Sequence, residues 1–225
     1  MTLENWQVRR IENFQTKEWL LYKHYAHTLP NVMYSFGMFD DKDDLQGVCC
    51  YGTPANNHNN EMGQFKQIEL VRLCVNDGLP KNTLSQFVSQ TFKLLEGPLS
   101  IISYADAGKN HHGYIYQATN WIYTGLGGGV DFYVDENNRE IHSRIMSDYR
   151  LKWPDKSRKQ IAEELHWKSV EGTYKHRYFY FIGDKRNKKI WLKTLTEKYK
   201  PKNYPKGDNE RYDSSYKPKQ QKTLI

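Results

Sequence analysis

The densest chemistry in the chain lies in the run SYADAGKNHHG, where Ser103, Tyr104, Asp106, Lys109, Asn110, His111 and His112 follow the apolar segment LSII. A carboxylate or neutral imidazole at the end of a buried strand is a candidate acceptor for the proton of an attacking amine, because imidazole titrates near neutral pH. Asp106 and Asn110 have an equally good structural use as caps of a turn and of the helix after it. The two histidines, Asp106 and His58 on an earlier loop are also suitable groups for a divalent metal such as iron. Their spacing does not match paired histidines four apart on a helix. Tyr51, Tyr114, Tyr116, Trp121 and Tyr123 bring aromatic rings to the same region. Such rings stack on an extruded base, though rings at helical spacing also simply pack a core.

A second constellation is VNDGLPKNTLS, the junction between a β-branched run and a helical pattern. Backbone amides left unpaired at a helix N-terminus form an anion site together with the helix dipole. A phosphate or pyrophosphate would sit on the amides of residues 79–84, with Lys81 and Ser85 adding contacts. The glycine spacing of a P-loop or dinucleotide fingerprint is missing here.

The elements that must position these groups read as an α/β fold. VMYSFGMFD and LQGVCCYGTP form a hairpin turning at residues 40–44, after a short strand and a helix over 17–27 that Pro30 ends. IELVRLCVN reads as a strand buried on both faces and TLSQFVSQTFKLL as a helix with Asn82 as N-cap. LSIISYAD is a second buried strand, and Ile115, Ala118, Thr119 and Ile122 mark a short helix ending near Gly125. Strand, helix, strand in this order implies two parallel neighbours joined by a right-handed crossover, whose carboxyl ends are where open sheets place ligands. A hairpin turning at 136–138, a helix over 157–170 capped by Ser157 and the strand KHRYFYFIG complete the reading. The expected organisation is one domain over residues 1–198, with its core at about 30–182, and a flexible basic tail over 199–225 rich in Lys, Pro and Tyr.

Length and 38% apolar content suffice for one real core. No stretch approaches the ~20 apolar residues that cross a bilayer, and no apolar run follows the first basic residues, so a cytoplasmic protein is expected. Three cysteines in strand-like runs suit reduced core thiols, with Cys49 and Cys50 on opposite strand faces. Residues 1–149 carry 12 Lys/Arg against 17 Asp/Glu, whereas 150–225 carry 21 against 9. A basic region on a mildly acidic body suits a phosphate backbone, which releases counterions when neutralised; a merely solubilising face is the alternative.

The run SYADAGKNHHGYIYQATNWIYTG, with ELVRLCVNDGLPKNTLSQFV and GVCCYGTPAN before it, resembles the Mom family of phage DNA modification proteins. The likeness covers roughly residues 32–125, with KHRYFYFIG as a weaker fourth block. It implies a mixed sheet with flanking helices like that of GNAT acyltransferases. The activity it implies is conversion of adenine's exocyclic amine in double-stranded DNA to a carbamoylmethyl derivative, which shields phage DNA from restriction. On this resemblance Tyr51, Ser103, Tyr104, Asp106 and His112 become catalytic candidates. Arg72, Leu79, Lys81, Asn82, Thr83 and Ser85 fall near the donor, and Asn56, Tyr116, Asn120, Tyr123, His176 and Arg177 on the substrate side. Residues 79–82 read Leu-Pro-Lys-Asn where the acyltransferase loop is Gly-rich, so the implied donor is acyl-CoA-like or another activated molecule. Two other readings fit the residues: an ordinary N-acetyltransferase acting on a small amine or protein, and a non-catalytic DNA-binding protein.

Overall fold

The computed structural model describes residues 6–54, 61–129, 132–141, 143–208 and 215–219. The chain opens with β1 (Gln7–Arg10), which lies antiparallel on β2 (Val32–Phe39). Between them the expected helix over 17–27 is replaced by a 3-10 turn, Asn13–Thr16, and one wide π-type turn, Trp19–Lys23. His24 ends it in extended backbone, φ −76 and ψ 134. Trp19 and Leu20 are buried against Val48, Cys50 and Cys74, and that packing overrides the helical pattern.

The hairpin of β2 and β3 (Leu45–Gly52) forms as expected. Its tip holds Asp43 at φ 63, and the Asp40 carboxylate accepts the amides of Lys42 and Asp44, both at 2.9 Å. β4 (Glu61–Met62) and β5 (Phe65–Val75) follow, then α1 (Thr83–Leu94) and β6 (Leu99–Asp106). Phe87, Val88 and Thr91 of α1 are buried, the helical spacing having put them on the face toward the sheet. Asn82 stands at the N-cap as expected but in the left-handed region, φ 65, and its side chain makes no cap bond.

α2 (Tyr114–Ala118) is shorter than its sequence pattern. The Thr119 hydroxyl donates to the Ile115 carbonyl at 2.8 Å, Asn120 turns left-handed at φ 60, and Ile122 already opens β7 (Ile122–Gly128). The residues read as the helix end are therefore edge strand. β8 (Phe132–Val134) and β9 (Glu140–Ile141) form the late hairpin, and α3 (Ser143–Lys152) and α4 (Arg158–Glu164) pack on it around Met146 and Ile161. Ser157 caps α4 as expected, accepting the Gln160 amide at 3.3 Å. The helix nevertheless stops early, because His166 adopts φ 55 and the chain enters β10 (Lys168–Val170). β11 (Tyr174–Ile182) returns to the main sheet, and α5 (Lys185–Lys198), absent from the sequence reading, packs beneath it.

The main sheet runs β1-β2-β3-β5-β6-β11-β7, with β4 on β5, and β8, β9 and β10 make a separate three-stranded sheet. Among the described residues β5–β6 is the one parallel pair, so the expected mixed α/β architecture with flanking helices is what the chain adopts. The core between the sheet and α1–α2 gathers Phe36, Tyr51, Ile68, Ile101, Trp121 and Tyr178. A smaller core gathers Phe65, Ile102, Phe179, Trp191 and Leu195 under α5. Cys49 and Cys50 fall in different clusters, as their alternation requires, and burial pushes all three thiols up, Cys50 to about 11 and Cys74 to about 12.

Residues 199–208, expected as the start of a free tail, are docked instead. The Lys202 amide donates to the Tyr123 carbonyl at 2.8 Å, the Tyr204 hydroxyl to the Trp121 carbonyl at 2.6 Å, and the Tyr114 hydroxyl to the Gly207 carbonyl at 2.6 Å. These bonds cover the edge of β7, which would otherwise expose unpaired backbone groups. Residues 215–219 also lie on the fold: the Tyr216 hydroxyl donates to the Glu18 carboxylate at 2.5 Å, and Lys23 Nζ donates to the Tyr216 carbonyl at 2.8 Å.

Candidate active site

β5 and β6 are hydrogen-bonded partners only at Gln67–Ser100, Ile68–Ile101 and Glu69–Ile102. Beyond that point β5 stays with β3 as far as Val75, while β6 stays with β11 as far as Asp106, so the two strands part. The Ser103 hydroxyl bridges the fork, 2.8 Å from the Leu70 carbonyl and 2.8 Å from the Tyr116 hydroxyl. The carbonyl only accepts, so Ser103 donates to it and is left to accept from the Tyr116 hydroxyl. Burial pushes the Tyr116 phenol well up, which keeps it a neutral donor.

The fork opens into a cavity of about 260 Å³. Residues 70–75 of β5 form one wall, Tyr104 and Ala105 of β6 with residues 113–116 form the other, and Lys23, His24 and Tyr25 close one side. Gly113 is required at this wall: it sits at φ 71, and a Cβ there would stand 2.6 Å from the Tyr178 ring.

The expected site residues divide sharply by position. Arg72 and Tyr116 line the cleft, and Ser103 stands at its base. Arg72 donates to the Val71 carbonyl at 2.7 Å and to the Thr28 hydroxyl at 2.8 Å, and its Nε is buried with no partner among the described residues. Tyr104 contributes only its place on the strand. Its ring turns to the opposite sheet face among the α5 cluster, where burial lifts the phenol to about 12. Tyr51 is a correction. It is fully buried in the main core, and its hydroxyl is 2.6 Å from Thr91 Oγ1, away from the cleft wall.

The Asp106 carboxylate accepts the Gly108 amide at 2.9 Å and caps the 3-10 turn Ala107–Lys109, which is its structural use. The His112 ring packs against His176 at 5.6 Å, and its carbonyl accepts from the Tyr178 hydroxyl at 2.5 Å, while His176 Nδ1 pairs with the Tyr123 hydroxyl at 2.9 Å. These side chains form one aromatic knot behind the cleft. Arg177 points to the α5 face, with Nε 2.9 Å from Thr124 Oγ1 and its guanidinium 4.1 Å above the Tyr199 ring.

At the α1 junction, Leu84 reaches the cleft and Leu79 packs on the core, while Lys81 is exposed. The Thr83 and Ser85 hydroxyls are spent on the Pro80 and Asn82 carbonyls at 2.7 and 2.9 Å. Asn82 and Ser85 border a shallow surface groove with Gln86 and Ser89 rather than the cleft. Asn120 is exposed in the turn after α2. Asn56 and His58 lie outside the described residues. Among the described residues no three His, Cys, Asp or Glu side chains gather as a metal site, and His58 of the candidate set lies outside them.

The sequence reading missed Lys23, His24 and Tyr25 as wall residues, while His111, singled out with its neighbours, does stand at the wall. Lys23 is 3% exposed and pairs with Asp77 at 2.7 Å. His24 stacks on Tyr25 at 4.4 Å, and burial, with Arg72, His27 and His111 adding positive charge, drives its pKa down to about 3. Burial and the nearby Asp106 carboxylate push the Tyr25 phenol up. No local signal marks these residues, because the tertiary packing of Trp19 and Leu20 brings them to the fork.

No curated protein matches the chain by sequence. Among solved structures, Arabidopsis thaliana NAA60 in complex with acetyl-CoA aligns at TM-score 0.44 and 10% identity, over 79% of this chain and 98% of that one. Vibrio cholerae spermidine N-acetyltransferase in complex with CoA and spermine aligns at TM-score 0.44 and 7% identity, over 80% of this chain and 96% of that one. An N-acetyltransferase from Staphylococcus aureus Mu50 aligns at TM-score 0.42 and 10% identity, over 79% of this chain and 97% of that one. The model of the Mom protein family matches residues 5–206, which takes in the fork, both of its walls and the strand behind them, and the chain belongs to the Mom protein family.

Proposed function

We propose that this chain is a transferase that modifies the exocyclic amine of adenine in double-stranded DNA, giving a carbamoylmethyl derivative and using an acyl-CoA-like or other activated donor. The observation that carries the reading is the fork: a parallel pair that parts after Glu69 and Ile102 and encloses a cavity lined by Tyr, His and Arg. Family membership and the basic C-terminal part of the chain support the choice of DNA as the acceptor.

For this product the carbon that becomes bonded to N6 is the methylene of a –CH2CONH2 group, so the donor carries that group on a leaving group. The N6–carbon bond forms as the bond from the methylene to the leaving group breaks, and one N6 proton passes to a base, whereas a plain acyl thioester would give an N6-amide instead. The chain's own residues supply position, desolvation and the proton acceptor. An adenine inside a duplex must be extruded to react. Tyr25 and Tyr114 at the cleft walls are the rings available to stack on it. Tyr116, fixed by Ser103, presents a hydroxyl at the base of the fork. Arg72, with its Nε buried and unpaired among the described residues, and the α1 N-terminus are the groups that would hold an anionic donor. His24 stays neutral down to about pH 3 and is too weak a base to take the amine proton, which leaves His111 at the wall for that task.

The test is mass spectrometry of nucleosides from the DNA of cells expressing the chain. A carbamoylmethyl-substituted deoxyadenosine is expected. Unaltered nucleosides, with acetyl-CoA consumed on small amines in vitro, would overturn the proposal.

A further inference from the structure

The exposed outer face of α5 carries a charge pattern that the cleft does not explain. Residues 185–206 hold nine Lys or Arg and a single acid, Glu197. On α5, Trp191 and Leu195 point into the core, and Arg186, Lys189 and Lys193, spaced three and four apart, line the opposite side. All three are exposed, and none is ion-paired among the described residues. Asp184, the nearest acid to Arg186 and Lys189, is spent as N-cap of the helix, accepting the Asn187 amide at 2.8 Å, and Glu197, four residues after Lys193, forms no ion pair with it among the described residues.

Past the helix the chain becomes extended at Tyr199, φ −139 and ψ 130, and Lys198, Lys200 and Lys202 fall on alternate residues, all exposed. This strap is fixed along the edge of β7 by the Lys202–Tyr123 backbone bond and passes to the other sheet face. It ends where the Gly207 carbonyl accepts from Tyr114, a wall residue of the cleft. A line of exposed cations therefore runs over α5, about 21 Å long, and continues to the mouth of the cavity.

We infer that α5 and the strap over residues 198–206 form the docking surface for the phosphate backbone of duplex DNA, leading the strand to the cleft. The inference rests on the proposed DNA reading and assigns its contact surface. A linear row of lysines matches an extended polyanion, and the continuity of the row with the cleft wall matches a ligand that must also enter it. The α3–α4 unit also carries cations, but two of them are paired with its own acids, Lys156 with Glu164 at 2.5 Å and Lys159 with Glu163 at 4.0 Å. It serves as the internal control.

The test is binding of the full chain to a fluorescent 30-base-pair duplex across a salt series, with the variant R186A/K189A/K193A compared with K156A/K159A. With three fewer phosphates neutralised, the slope of log K against log salt should fall by about 2.7 and binding should weaken roughly 100-fold near physiological salt. The α3–α4 variant should keep the wild-type slope, and R186K/K189R/K193R should keep both slope and affinity, since a phosphate track reads charge. Circular dichroism melts establish that the variants are folded, and K200A/K202A tests the strap without touching the helix. An unchanged slope in both R186A/K189A/K193A and K200A/K202A, an equal fall in the α3–α4 variant, or tighter retention by anionic vesicles than by duplex would overturn the inference. Modified nucleosides with an unchanged ridge slope would sink this surface and leave the proposed function standing. Unmodified nucleosides with the ridge slope lowered as expected would do the reverse.

Discussion

On one face of the central sheet α1 and α2 leave a cleft beside β5 and β6, and several polar groups at it and behind it are tied down: Ser103 to Leu70 and Tyr116, Lys23 to Asp77, and, behind the wall, Tyr123 to His176. On the other face α5 is anchored by Trp191 and Leu195, and its outer cations reach into solvent without ion-pair partners among the described residues. The contrast matches the demands of two tasks. Group transfer needs donors and acceptors held in place before the substrate arrives, whereas a backbone of repeated phosphates is gripped by charge alone and tolerates mobile side chains. The strap over residues 199–208 is the covalent link between the two faces, because it crosses the edge of β7 from one to the other.

The largest effect expected is from Trp191→Ala. The ring is 1% exposed, stacks on Phe181 at 5.3 Å and donates its Nε1 proton to Ser100 at 2.9 Å. Truncation should cost about 3–5 kcal/mol by urea unfolding. A cost below about 1 kcal/mol would mean that α5 is not seated on the sheet and that the contrast between the faces fails. Should the variant stay folded, duplex binding should suffer more than the cleft does.

The next effect is on pH dependence at the cleft. The His24 pKa is about 3 in the folded chain against 6.5 when unfolded, so the unfolded state binds the proton more tightly. Stability is then fully present above about pH 6.5 and falls as pH drops toward 3, by up to about 1.4 kcal/mol per pH unit from this residue. Urea midpoints of wild type and His24→Gln between about pH 7 and pH 4 should diverge, with the flatter profile in the variant. Parallel profiles would show that His24 is solvated rather than buried in the wall.

The smallest stability effect separates two tyrosines that the sequence placed at one site, Tyr51 as a catalytic candidate and Tyr116 on the substrate side. Tyr116→Phe removes the hydroxyl at the fork and Tyr51→Phe removes one bonded to Thr91 in the core. Each should cost on the order of 1 kcal/mol. Only Tyr116→Phe should lower the yield of modified nucleoside, by roughly tenfold; equal yields in the two variants would remove Tyr116 from the reaction.

Much of the sheet was legible because its signals are local. The Asp-rich turn at residues 40–44, the β-branched runs of β5 and β6, and the serine before α4 each act within a few residues of themselves. The parallel pairing of β5 and β6, and the chemistry gathered where they end, followed from connection geometry. The errors came where a local pattern lost to packing. Residues 17–27 have helical apolar spacing, yet burial of Trp19 and Leu20 held them in a wide turn. Residues 199–208 look like a tail by composition, but the Tyr204 hydroxyl and the Lys202 amide find the carbonyls of Trp121 and Tyr123.

The sequence alone determined the order of strands and helices that makes one parallel pair, the motif block that marks the family, and the excess of positive charge after residue 150, since each of these depends on neighbouring residues or on a count. Which tyrosines face the cleft and which the core, that Lys23, His24 and Tyr25 close its side, and that the C-terminal lysines line a helix and a docked strap were decided only by tertiary structure. A side chain's neighbours across a sheet depend on pleat, register and the parting of strands, and those are fixed by contacts between segments far apart in the chain.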